Sequence, residues 1–144
     1  MSGSNVVVDA DALIGLLNET DGLHARCLQI STFLQEQHMT SLIPYPIILE
    51  AATALAKDKT IRRPDLAHLL LKKYAAIDDH QWETVNLPSI VAQWYDPKTS
   101  KKNTPFDYYV LACAKKNNIT TVFSFDAFYK KNGLTLAEEL LPTK

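Results

Sequence analysis

Residues 6–17, VVVDADALIGLL, decide the fold. Val6-Val7-Val8 is a β-branched run without polar alternation, the pattern of a short strand covered on both faces in a parallel sheet. It passes without turn residues into DADALIGLL, whose Ala and Leu content favours helix. The chain then repeats this alternation. A second helix is expected over about Asp21 to Gln37, with Leu23, Cys27, Ile30 and Leu34 at helical spacing, and a second strand over Thr40–Ile43. Pro46 suits the first turn of a helix reaching about Lys57, and Pro64 begins another whose apolar stripe is Leu66, Leu69, Leu70, Tyr74 and Ile77.

Farther along, Glu83–Asn86 reads as a third strand and Ile90–Tyr95 as a helix. Thr104-Pro105-Phe106-Asp107 looks like a capped start for a helix running to about Asn117, and Ile119–Phe125 is the clearest later strand. Gly133 ends a short helical piece, and Thr135 with Glu138 has capping-box spacing for a last helix. Repeated alternation of this kind predicts an α/β fold, a three-layer α/β/α sandwich around a parallel sheet of about four to five strands. In such sheets, ligands collect beyond the carboxyl ends of the strands.

The composition sets limits. The chain has 144 residues, 47% hydrophobic and 22% charged, a length and apolar content that suit one folded domain and not a disordered chain. We expect that domain over residues 5–144, with Met1–Ser4 (MSGS) a cloning remnant. No apolar run reaches the roughly 18 residues that span a bilayer, and nothing near Met1 resembles a signal peptide, so no membrane association and a cytoplasmic location are expected. Cys27 and Cys113 lie in apolar-periodic segments without a CxxC pattern and read as buried free thiols; His24, His38, His68 and His80 show no metal-ligand spacing.

The net charge of −1 conceals an asymmetry. Residues 1–56 hold six acids against Arg26 alone, a net of −5, while residues 57–144 carry +4. The bases come in pairs, at Arg62-Arg63, Lys72-Lys73, Lys101-Lys102, Lys115-Lys116 and Lys130-Lys131. Such pairs serve as solvated helix faces or as contacts to a polyanion, and Arg62, Arg63, Lys101 and Lys102 are the candidates for a nucleic-acid backbone.

Four carboxylates, Asp9, Glu50, Asp107 and Asp126, fall where the crevice of the sheet would be, with Asp11 beside the first. Asp9 directly follows the first strand and Asp126 follows TVFSF; Asp107 sits in a helix first turn, with Asp11 two residues past Asp9. Asp9 and Asp126 would also serve as plain N-caps, and Asp107 as the acid of a box with Thr104. Glu50 is different, because it lies on the apolar stripe Ile47, Glu50, Ala51, Ala54, Leu55, where capping has no use for it unless it tilts to a wet boundary. Two unit charges about 4 Å apart at an effective dielectric near 20 repel by about 4 kcal/mol, so converging carboxylates call for a cation. Oxygen-only ligands favour Mg²⁺ or Mn²⁺, and the lack of a His or Cys cluster argues against zinc. A cation so held lowers the pKa of water and stabilises charge developing on a phosphodiester.

The set VVVDADALIGLL, IILEAATAL, TPFDYYVLACAKKNNI and TVFSFDAF, spread from Val6 to Phe128, resembles the PIN domain, including the VapC toxins of toxin–antitoxin pairs. The resemblance implies a Mg²⁺- or Mn²⁺-dependent endoribonuclease with Asp9, Glu50, Asp107 and Asp126 as catalytic, metal-binding acids. Ser124 would hydrogen-bond in the metal site, with Asp11 and Thr104 as further supports. It also implies an RNA substrate, a homodimer, and a cognate antitoxin that silences the enzyme with a basic side chain. Two departures stand out: Asp11 lies where the family usually has Ser, Thr or Asn, and Tyr108-Tyr109 follow the third acid, where a small residue is usual. Two other readings stay open. One is a non-catalytic PIN-like module that binds nucleic acid or protein. The other is a haloacid-dehalogenase-type phosphotransferase, in which Asp9 is the nucleophile and Asp11 the general acid.

Overall fold

In the computed structural model, Val6 and Val7 are fully buried and Val8 nearly so, because strand β1 (Asn5–Val8) has a neighbour on each side and helices over both faces. The structure describes residues 4–77, 81–98 and 102–142. The expectations for His80 and Lys101 lie outside those residues. β1 pairs in parallel with β2 (Thr40–Leu42) on one side and β3 (Thr121–Phe123) on the other, and β4 (Thr135–Leu136) extends the sheet beyond β3. Val7 lies opposite both Leu42 and Val122. The order β2-β1-β3-β4 places the chain's reversal of direction between β1 and β3, the position where a crevice opens at the strands' carboxyl ends.

Among the described residues, seven helices fill the connections: α1 (Ala10–Leu17), α2 (His24–Glu36), α3 (Tyr45–Lys57), α4 (Pro64–Ala75), α5 (Leu87–Trp94), α6 (Pro105–Lys116) and α7 (Ala127–Lys131). Together they make the expected α/β/α sandwich, with a sheet of four parallel strands. α3 packs on α1 and α4, and α6 on α5 and β1. Ile47, Ala51 and Leu55 of α3 are fully buried, which puts Glu50 on the edge of a core-facing stripe. Cys27 and Cys113 are buried free thiols whose pKa burial pushes up to about 12.

Three local expectations require correction. Glu83–Asn86 is not a strand: the Asn117 side chain accepts the Glu83 N–H at 2.6 Å and donates to its carbonyl at 3.0 Å, so an amide takes the bonds a neighbouring strand would need. Thr135 does not cap a helix. Its N–H donates to Thr120 O at 2.8 Å as part of the sheet, and a short 3-10 turn (Ala137–Leu140) follows, in which Glu139 accepts the Leu136 N–H. In α4, Leu66, Ala67 and Leu70 are buried while Leu69 is exposed, because α4 rests on α3 along one narrow stripe, and Ile77 lies exposed beyond the helix end. Ser4 also extends the pairing of β1 with β2, its carbonyl accepting the Thr40 N–H at 2.9 Å.

Candidate functional site

Asp9, Asp11, Glu50, Asp107 and Asp126 line one cavity of about 230 Å³ together with Thr104 and Lys102. Five carboxylates from four parts of the chain thus face a shared space at the switch point of the sheet. Asp9 leaves the end of β1 as the N-cap of α1, its N–H donating to Phe123 O of β3. Its Oδ1 accepts the Ala10 N–H at 2.8 Å, and its Oδ2 accepts from the Tyr129 hydroxyl at 2.7 Å. Asp126 caps α7, its Oδ1 accepting the Phe128 N–H. Asp107 lies in the first turn of α6, where its Oδ2 accepts the Thr104 N–H at 2.9 Å. Capping and cavity lining therefore coexist at these three acids. Each cap bond uses one acceptor position of a carboxylate and leaves it others, although Asp9 Oδ2 also accepts from Tyr129.

Ser124 links the set. Nearly inaccessible, it lies 3.0 Å from Asp11 Oδ2 and 3.3 Å from Asp9 Oδ2, while its oxygen accepts the Asp126 N–H at 3.2 Å. Asp11 Oδ2 takes the Phe125 N–H as well, at 2.8 Å. Asp11 thereby ties the first turn of α1 to the segment after β3. Ser124 and the Ala12 and Phe125 amides all donate to Asp11, bonds that favour its ionised form, while burial works the other way and raises its pKa.

The electrostatics follow from burial and crowding. Burial, then the charge of Asp11, lifts the Asp9 carboxyl to about 7, against the pull of its bonds from Tyr129 and Ala10. Glu50 rises to about 7 through burial, then through Asp9, Asp107 and Asp11. Asp11 and Asp107 are also raised, chiefly by burial. Glu50 Oε1 is buried and has no hydrogen-bond partner among the described residues. A buried, unpartnered carboxylate oxygen among like charges costs free energy that a cation would recover. An all-oxygen set of this kind fits Mg²⁺ or Mn²⁺. Among the described residues, no three His, Cys, Asp or Glu side chains are already drawn together as a ligand cluster.

Among the described residues, Lys102 is the one expected nucleic-acid contact that lines this cavity. Arg63 instead forms a two-pronged pair with Asp65, both contacts at 2.9 Å, and reaches Glu19 at 3.5 Å; Arg62 is exposed. Tyr108 does not line this acid-lined cavity. It is buried between Tyr95 and Phe128, with ring centroids 5.4 and 5.1 Å away. The sequence reading does not single out Tyr129, although it stands three residues past Asp126, where a first-turn side chain can reach back across its cap. Its fully buried hydroxyl touches Asp9 and lies 3.5 Å from Asp107 Oδ1, and burial and these charges raise its pKa.

The sheet order, the helical layers and the acid-lined crevice define the class of architecture: an α/β/α sandwich of PIN type. The structure is similar to that of VapC20 from Mycobacterium tuberculosis, a sarcin–ricin loop cleaving toxin, with a TM-score of 0.70 and 14% sequence identity over 90% of this chain and 96% of that one. No protein-family model matches the sequence, and no curated protein matches it. At that identity the likeness is one of fold. Among the described residues, no helix is long and apolar enough to cross a membrane.

Proposed function

We propose that this protein is a metal-dependent endoribonuclease, the toxin of a toxin–antitoxin pair, in which Asp9, Glu50, Asp107 and Asp126 hold Mg²⁺ or Mn²⁺. The observation that carries the reading is Glu50, whose buried Oε1 has no partner among the described residues and which lines a cavity shared with four other acids. When bound, the cation lowers the pKa of water and offsets charge developing on a phosphodiester. The chain's own residues supply the rest. The N–H groups of Ala10, Thr104 and Phe128 fix one oxygen each of Asp9, Asp107 and Asp126, so these carboxylates are oriented beforehand. Ser124 and Asp11 hold the segment after β3 against α1 and so set where Asp126 stands. Lys102 offers positive charge at the cavity to a phosphate that would otherwise meet only acids.

RNA as the substrate rests on the likeness to a toxin that cleaves the sarcin–ricin loop, since nothing in this donor set requires a 2′-hydroxyl. A cognate antitoxin, a homodimer and a cytoplasmic setting belong to the same proposal and rest on the sequence resemblance to the VapC toxins. The test is cleavage of structured RNAs with Mn²⁺ by the wild type and by Asp9→Asn, which keeps the cap geometry and removes the charge. We expect a loss of at least about 100-fold, the scale of removing a group that stabilises transition-state charge; equal activity removes the proposed site. The binding-only reading keeps one point in its favour, the absence of a drawn-together ligand cluster among the described residues. Calorimetry decides it, because a binding-only module would release no heat at millimolar Mn²⁺.

A further inference from the structure

We infer that Tyr129 is the positioning residue for Asp9, replacing a hydrogen bond that Ser124 gives to Asp11 instead. The inference rests on the metal reading above. Tyr129 is the largest of the fully buried side chains, and a buried phenol has to find a partner. The oxygens it reaches both belong to the site: Asp9 Oδ2 at 2.7 Å and Asp107 Oδ1 at 3.5 Å. Its ring sits edge-on to Phe128 at 5.3 Å, and Phe128 meets Tyr108 in the same way, so packing sets where the hydroxyl points.

Ser124 cannot do this work for Asp9. A serine hydroxyl has one proton, and Asp11 Oδ2 is nearer to it than Asp9 Oδ2, at 3.0 against 3.3 Å. Asp11 is the acid that stands where the PIN resemblance leads one to expect Ser, Thr or Asn, so the competition for that proton belongs to this chain. With Oδ2 held by Tyr129 and Oδ1 by the Ala10 N–H, Asp9 cannot rotate about its carboxyl bond, and Oδ1 keeps a free lone pair for an ion. Tyr129 thus acts through Asp9 and not on the substrate.

The test is Mn²⁺ titration calorimetry on wild type, Y129F, D11A and the D11A/Y129F double variant, with thermal unfolding in EDTA as the control for folding. Y129F keeps the ring, so we expect an EDTA melting temperature close to wild type and a Mn²⁺ Kd weaker by about 10-fold, the scale of losing a partner behind a metal ligand. Without Asp11 the Ser124 proton is free for Asp9, and the Y129F effect should shrink to about twofold or less on the same scale. An unchanged Kd in Y129F overturns the positioning role; an undiminished loss beside D11A overturns the exchange with Ser124. Should Y129F fail to fold, Y129M, which also lacks the hydroxyl, takes its place in the comparison. Wild type that binds no Mn²⁺ brings down the metal reading itself, and this inference with it.

Discussion

Glu50 shows what one misplaced charge reveals. On α3 it keeps company with Ile47, Ala51 and Leu55, all fully buried, and gains no cap bond or cation partner among the described residues in return. Its carboxyl titrates near 7 in the folded chain against an ordinary 4.5. Below 4.5 it is protonated both folded and unfolded, so it has no effect on stability there. As pH rises from 4.5 through 7 the folded state has to ionise it against its neighbours, and stability is lost. In metal-free protein, Glu50→Gln should therefore melt higher than wild type at pH 8 and together with it at pH 4. The expected gap is about 2–4 °C, what about 1 kcal/mol produces in a chain of this size once the group's partial exposure is discounted. The same substitution should abolish RNA cleavage. Differential scanning calorimetry in EDTA reads the first effect. The acid's oddity was readable from its spacing; the orphaned oxygen was not, because it depends on which side chains fail to reach it.

At the scale of elements, the pairing of α1 with α2 turns on one missing side chain. A Cβ built on Gly15 would lie 2.5 Å from the sulfur of Cys27, which is fully buried. Gly15→Ala should cost about 1–3 kcal/mol, the range for overpacking a core, measured by urea unfolding. Cys27→Ala in the same chain should recover most of that loss, since the obstacle is the sulfur itself. Where the elements begin was clear from Pro46, Pro64 and Thr104, because proline and cap chemistry act within a few residues. Glu83–Asn86 and Thr135 went the other way. The Asn117 amide and the open edge of β3, both distant in sequence, decided what those stretches became.

Across the whole molecule, the crevice carries more negative charge than it can neutralise alone. Asp9 and Glu50 both titrate near 7, and Asp11 and Asp107 are raised as well, so metal-free protein binds more protons folded than unfolded between about pH 4 and 7. Its stability should fall over that window as pH rises. Saturating Mn²⁺ should raise the melting temperature more at pH 8 than at pH 5, because the ion competes with protons for the same oxygens. Equal stabilisation at both pH values, or none, would argue against these carboxylates as its ligands. Thermal scans with Mn²⁺ or EDTA supply the measurement.

Local chemistry already specified the strand–helix alternation, the helix starts and the positions of the acids, since periodicity, proline and capping operate over a handful of neighbouring residues. The order of the strands, the space shared by five carboxylates and the hydrogen bond from Tyr129 to Asp9 depended on the fold. They join residues up to 120 positions apart, and only packing selects which distant groups meet.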